Sequence, residues 1–293
     1  MTRAIAVGVD GSAESLAAAD WAAVEAALRG APLRIVHAWL PQSTDVPLTR
    51  SGDEQVTAAD AFVREAVTRV SGRHPDLTIA SEVVQATPVD TLLKEAERAE
   101  MLVLGSRGHG ALVGFLLGSY GQQVIADAPG PVVSVRAGTG TEASPRTDGA
   151  GEVVVGQHGE PEDSEAVLRF AFEAAAARGA AVRAVRAWTL PPLYSYNTGV
   201  LHVADEAGGL EPLEQQALTR ALAPWRERFP EVPVVEHVEI GSAGQVLLAA
   251  TPDASLLVVG RKTRRSPIGT RIGSVAHAAL HHAGCPVAVV PPA

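Results

Sequence analysis

The chain of 293 residues runs through one pattern of elements twice, and that repetition narrows the folds open to it more than any other feature. Each copy opens on a short apolar run, Ala4–Val9 (A-I-A-V-G-V) and Glu152–Gly156 (E-V-V-V-G). Each closes on a proline-led one, Pro131–Val135 (P-V-V-S-V) and Pro286–Val290 (P-V-A-V-V). In the first copy, helical patterns over Ser12–Arg29, Glu54–Val70, Pro88–Ala99 and Ser119–Asp127 alternate with strand patterns at Leu33–Trp39, Leu77–Gln85 and Met101–Leu104. The second copy repeats this with helices over Asp163–Arg178, Pro212–Phe229, Ala243–Ala250 and Ser274–His282, and strands at Ala181–Trp188, Val232–Ile240 and Ser255–Val259. Ala187-Trp188 echoes Ala38-Trp39, and Pro224 predicts a kink or an early end in its helix. Between the copies, Ala137–Gly151 loses all periodicity and is rich in Gly, Thr, Ser and Pro, as a flexible linker is. Strands alternating with helices predict an α/β fold, here two tandem open parallel five-stranded sheets with helices on both faces. The predicted domains are 1–138 and 152–293, joined by the linker 139–151.

The stretch Gly105–Ser119 (G-S-R-G-H-G-A-L-V-G-F-L-L-G-S) follows a predicted strand and precedes a predicted helix. A glycine-rich loop in that place suits a phosphate, because bare backbone N–H groups and the positive end of the helix dipole face the anion. The spacing is Gly105, two residues, Gly108, nine residues, then Gly118-Ser119. A glycine turn without a ligand is the alternative reading.

Composition excludes several classes. Net charge is −9, whereas a nucleic-acid binder shows a basic stripe, so no nucleic-acid partner is expected. No apolar run reaches the roughly 18 residues of a bilayer span, so no membrane partner is expected. The single cysteine, Cys285, permits no intramolecular disulfide and fits a reducing compartment. Met1–Ile5 enters a strand pattern at once, and the expected location is the cytoplasm. There is no Gly-Lys-Ser/Thr phosphate loop, no Gly-x-Ser-x-Gly elbow and no His-Glu-x-x-His. His281-His282 and Cys285 lack the spacing of a metal site, so no metal ligands are expected. Trp39 and Trp188 read as packing residues, and Tyr194 and Tyr196 as local plugs or a partner surface.

The loop spacing, the opening strand ending Val9-Asp10-Gly11-Ser12 and the tandem duplication together resemble the universal stress protein family in its two-domain form. The resemblance covers nearly the whole chain outside the linker. It implies a strand order of 3-2-1-4-5 in each sheet, which brings Asp10 and Gly105 to one crevice where the strand order reverses. It implies ATP as the ligand, alone or with Mg2+. Asp10 then stands near the ribose or a metal, and Ala38 lines the adenine pocket. Gly105, Gly108, Gly118 and Ser119 hold the phosphates, with the charged Arg107 and His109 inside the loop. The two halves are expected to associate through their closing strands, which are edge candidates. A homodimer is compatible with the sequence and does not follow from it.

The second copy departs from this motif. Gly260 matches Gly105, and Gly273-Ser274 match Gly118-Ser119, but Thr263 replaces the middle glycine and His158 stands where Asp10 stood. A Cβ at that position blocks close approach of backbone to phosphate. Countering this, Arg261, Lys262, Arg264, Arg265 and Arg271 make the loop basic, and guanidinium groups suit an anion. The leading expectation is an ATP-binding stress-response regulatory protein. Nucleotide sits mainly in the N-terminal domain, and a weaker second site is centred on Gly260, Arg261, Gly273 and Ser274. With no evident general base beside the loop, no catalytic residue is assigned and at most weak ATP hydrolysis is expected. The alternatives are a slow ATPase or nucleotidyl-transfer enzyme on the same scaffold, and a ligand-free interaction module.

Overall fold

The computed structural model describes residues 3–40, 52–106, 119–138, 151–189, 210–262 and 272–292. It forms two compact units, Met1–Pro145 and Arg146–Ala293. In the first unit the described elements are β1 (Ile5–Gly8), α1 (Ala13–Arg29), β2 (Leu33–Trp39), α2 (Gly52–Arg73), β3 (Ile79–Gln85), α3 (Pro88–Arg98), β4 (Met101–Ser106), α4 (Ser119–Asp127) and β5 (Val132–Arg136). The strands pair in parallel in the order β3-β2-β1-β4-β5, which is the predicted order. Helices α1 and α2 contact each other on one face, and α3 and α4 on the other.

Local chemistry sets these elements. Ser12 caps α1 by accepting from the backbone N–H of Ser15, and Gly30 ends the helix in the left-handed conformation. Ala18, Ala19, Ala22, Ala23 and Ala26 of α1 are fully buried, and small side chains let the helix axis lie close to the sheet. Strand β4 is apolar on both faces because both are covered. Helix α2 runs three residues past the predicted end at Val70, through Gly72 to Arg73, and Arg69 and Arg73 both pair there with the buried Asp20 of α1. Inside the unit, Arg29 joins Glu25 and Glu100 at 2.6 and 2.5 Å.

The second unit repeats the plan with β6 (Glu152–Gly156), a 3-10 turn (Pro161–Ser164), α5 (Glu165–Arg178), β7 (Val182–Trp188), α6 (Glu211–Arg228), β8 (Val234–Ile240), α7 (Ala243–Ala249), β9 (Ala254–Gly260), α8 (Ser274–His282) and β10 (Val287–Val290). Its parallel order is β10-β9-β6-β7-β8, the same order read from the other edge. Helix α6 runs on through Pro224 to Arg228, so the proline does not shorten it. Its missing N–H leaves the Arg220 carbonyl without its helical donor on the exposed side of the helix. Phe172, Trp225 and Phe229 stack in the core beneath α6, with centroids 5.8–6.5 Å apart. No helix among the described residues is long and apolar enough to cross a membrane.

Candidate nucleotide site

In the first unit β1 lies between β2 and β4, with Gly8 opposite Val36 on one side and Leu104 on the other. The chain after β1 leads to α1 on one face, whereas the chain after β4 leads to α4 on the other. The carboxyl ends of β1 and β4 thus flank the point where the strand order reverses, the place at which open α/β sheets hold ligands.

Asp10 lies two residues beyond the last residue of β1 and is exposed. Its carboxylate accepts from the backbone N–H of Ser12 at 3.0 Å and from the Ser12 hydroxyl. Its own N–H donates to the buried Ser15 hydroxyl at 3.2 Å, and that hydroxyl donates to the carbonyl of Ser12 at 2.9 Å. The turn into α1 is therefore fixed by side chains before any ligand arrives. His37 of β2 adds a further tie, its Nδ1 lying 2.6 Å from the carbonyl oxygen of Val9, which makes that nitrogen the protonated one. The His37 ring meets the edge of Phe62 at 5.4 Å. Ala38, next in β2, is half-buried at the same end of the sheet.

Gly105 is the fifth residue of β4 and is followed in the strand by Ser106. A Cβ at Gly105 meets backbone atoms of Glu14 and Ser15 at 2.5–2.7 Å, so the glycine admits the first turn of α1. Ser106 is buried, and its hydroxyl has no hydrogen-bond partner among the described residues. Ser119 starts α4. Arg107, Gly108, His109 and Gly118 lie outside the described residues. Sequence reasoning missed Ser15, Ser106 and the packing role of Gly105. The Ser15 signal was available, since Ser164 holds the same place in the second copy. Its hydroxyl accepts from the His158 N–H at 3.2 Å and donates to the His158 carbonyl at 2.7 Å.

The corresponding end of the second sheet is built differently. Gln157 replaces Val9 and Arg186 replaces His37. The Arg186 guanidinium donates to Gln157 Oε1 at 2.5 Å, to the Gly159 carbonyl at 2.9 Å and to Glu214 of α6 at 2.5 Å. Gln157 is itself buried, and its Nε2 also reaches the Gly159 carbonyl at 3.2 Å. Polar side chains thus tie down the mouth of this crevice from three elements. Gly260 ends β9, and the Arg261 N–H donates to the Val290 carbonyl at 2.7 Å. Gly273 precedes α8 with φ of 89°, which only glycine adopts readily, and a Cβ there lies 3.2 Å from Cβ of Lys262. The two feet of this loop are therefore adjacent, with Ser274 opening α8 beside them. Thr263, Arg264, Arg265 and Arg271 lie outside the described residues, as do Tyr194 and Tyr196. Among the described residues no three His, Cys, Asp or Glu side chains are placed to share a metal ion.

Comparison with known proteins places this architecture. The model of the universal stress protein family matches residues 1–136 and again 152–291. The chain belongs to the universal stress protein family. The universal stress protein Rv2005c of Mycobacterium tuberculosis is 35% identical over 302 residues, covering 97% of this chain and 96% of that protein. The crystal structure of a universal stress protein from Archaeoglobus fulgidus DSM 4304 superposes with a TM-score of 0.70 at 16% identity, covering 99% of this chain and 98% of that one. That likeness is one of fold. A structure of the universal stress protein from Archaeoglobus fulgidus in complex with dAMP is 26% identical, with a TM-score of 0.35, and covers 45% of this chain and 97% of that one.

Proposed function

We propose that this universal stress protein is an ATP-binding regulatory protein of the stress response, and that nucleotide is held mainly by the N-terminal unit. The observation that carries the assignment to one unit is the contrast between His37 and Arg186. In the first unit the His37 imidazole is held by the Val9 carbonyl and meets the Phe62 ring, and among the described residues no guanidinium lies across the strand end beside Asp10. In the second unit a guanidinium is anchored across the same place by Gln157, Gly159 and Glu214. Entry of a base or ribose there requires breaking three hydrogen bonds, each to a group at least partly buried.

The residues of the first unit suit such a ligand. Ser106 offers a buried hydroxyl without a partner among the described residues, on the strand that leads into the glycine loop. Asp10 offers a carboxylate oxygen at the point where strand order reverses. The nucleotide-bound state of this unit is what a protein partner reads.

The test is a calorimetric titration of the full chain with ATP, with and without Mg2+, for the wild type, Asp10→Ala and His158→Ala. Asp10→Ala weakens binding about tenfold, the worth of one charged hydrogen bond, and His158→Ala leaves it unchanged. Equal weakening by both substitutions would overturn the assignment to the first unit.

A further inference from the structure

Helix α8 is nine residues long and carries three histidines, His277, His281 and His282. Side chains four apart stand one above the other on a helix, whereas neighbours point about 100° apart. The rings follow this rule. His277 and His281 have centroids 4.1 Å apart with planes inclined at 46°. His281 and His282 are 6.2 Å apart. Ala276, Ala279 and Leu280 are buried, and a Cβ built on Gly244 of α7 falls 3.3 Å from Cβ of Ala278. Packing against α7 and β9 therefore fixes the rotation of α8, and with it the side on which the pair stands. His277 is exposed and His281 half-buried.

The first unit lacks the pair. Ser274 takes the place of Ser119, so Gln122 and Ala126 of α4 hold the places of His277 and His281. The adjacent His281-His282 does not have the spacing of a metal site, but His277, one turn back, supplies it to His281.

We propose that His277 and His281 together hold one divalent late transition-metal ion, of the class of Zn2+, Ni2+ and Cu2+. Imidazole nitrogen suits these ions, whereas Mg2+ and Ca2+ take oxygen ligands. Two histidines at i and i+4 on one helix face are a known way of presenting two nitrogens to one ion. Nitrogens about 2.1 Å from a shared ion bring their ring centres to about 4.5–5 Å from each other, so the observed separation needs only a small side-chain rotation. The rotation of the helix is already fixed, so the second ligand costs little ordering once the first has bound. His281 lies in the last turn, where the unpaired carbonyls of the helix carry partial negative charge and favour a cation. The exposure of His277 lets water fill the remaining coordination positions. Each ring uses one nitrogen for the ion and keeps the other for a hydrogen bond.

The test titrates the full chain, without nucleotide, with Zn2+ and separately with Mg2+, reading heat and the ring resonances of the histidines. Saturable Zn2+ binding with shifts at the His277 and His281 rings, and no such shifts with Mg2+, is expected. His277→Gln installs the side chain that the first unit has at this place and weakens the site at least about tenfold by removing the chelate. His282→Gln, one step round the helix, leaves it unchanged. Both residues are exposed, so neither substitution disturbs the core. Acidification from about pH 8 to about pH 5.5 releases the ion, because a ligating imidazole must be neutral. No saturable Zn2+ binding, unchanged affinity in His277→Gln, an equal loss in His282→Gln, or affinity that does not fall with acid would each overturn the proposal. Because no nucleotide is present and neither histidine belongs to the ATP crevice, none of these outcomes bears on the proposed nucleotide function.

Discussion

Gly105 lies directly beneath the first turn of α1, so that a Cβ built on it falls 2.5 Å from the carbonyl carbon of Glu14 and 2.7 Å from the amide nitrogen of Ser15. Both contacts are to backbone, which cannot swing aside as a side chain does. Gly105→Ala is therefore expected to cost about 2 kcal/mol of unfolding free energy through overpacking. Its counterpart Gly260 meets only Val167 Cγ2, at 3.2 Å. Gly260→Ala is expected to change stability by less than about 0.5 kcal/mol. Urea unfolding of the two variants checks the difference, and equal losses would contradict the packing account.

Glu25 and Arg29 form an ion pair inside the first unit, with side chains 1% and 8% exposed. Burial alone lowers the pKa of the Arg29 guanidinium, but Glu25 and Glu100 together more than offset this and hold it above its ordinary value. Glu25→Gln leaves a buried guanidinium short of its more deeply buried partner and is expected to cost about 3 kcal/mol. A group whose folded pKa is raised contributes stability that is complete below its unfolded pKa and fades only as pH climbs through the folded one. For arginine that window is strongly alkaline. The cost of Glu25→Gln is therefore expected to be the same at neutral pH and at about pH 9. Thermal or urea unfolding at both values is the check.

Arg186 is the centre of the polar network in the second unit, donating to Gln157, Gly159 and Glu214. Arg186→Met keeps the length of the side chain and removes all three hydrogen bonds, leaving the buried Gln157 amide short of a partner. A loss of about 2 kcal/mol is expected. Urea unfolding of Arg186→Met beside the wild type checks the loss.

Ser106 presents the opposite case. Its hydroxyl is buried without a partner among the described residues. Ser106→Ala removes an unsatisfied group, so stability in the absence of nucleotide is expected to stay level or rise by up to about 1 kcal/mol. A clear loss would mean that the hydroxyl is hydrogen-bonded in the free protein.

Much of the fold was legible because local signals agreed. The apolar runs of β2 and β6 and the helix α8 have the predicted limits, since proline, glycine and capping residues bracket them. Helix α2 outran its predicted end because one glycine costs less than the contacts of Arg69 and Arg73 with Asp20 return. The predicted helix over Asp163–Arg178 begins instead with a 3-10 turn, where Asp163 caps the N–H of Glu160 at 3.1 Å. At the candidate site, the places of Asp10, Ala38 and Gly105 followed from strand order. The Arg186 network did not, because it depends on groups from three elements distant in sequence. Comparing the copies position by position exposes it, since His37 and Arg186 differ in charge and size at one place in the fold.

The central claim is that one chain carries one nucleotide. Native mass spectrometry of the full-length protein titrated with ATP measures this directly. A single bound nucleotide per chain at saturation, retained in His158→Ala and weakened in Asp10→Ala, is the predicted result. Two nucleotides per chain of similar affinity, or none, would contradict it.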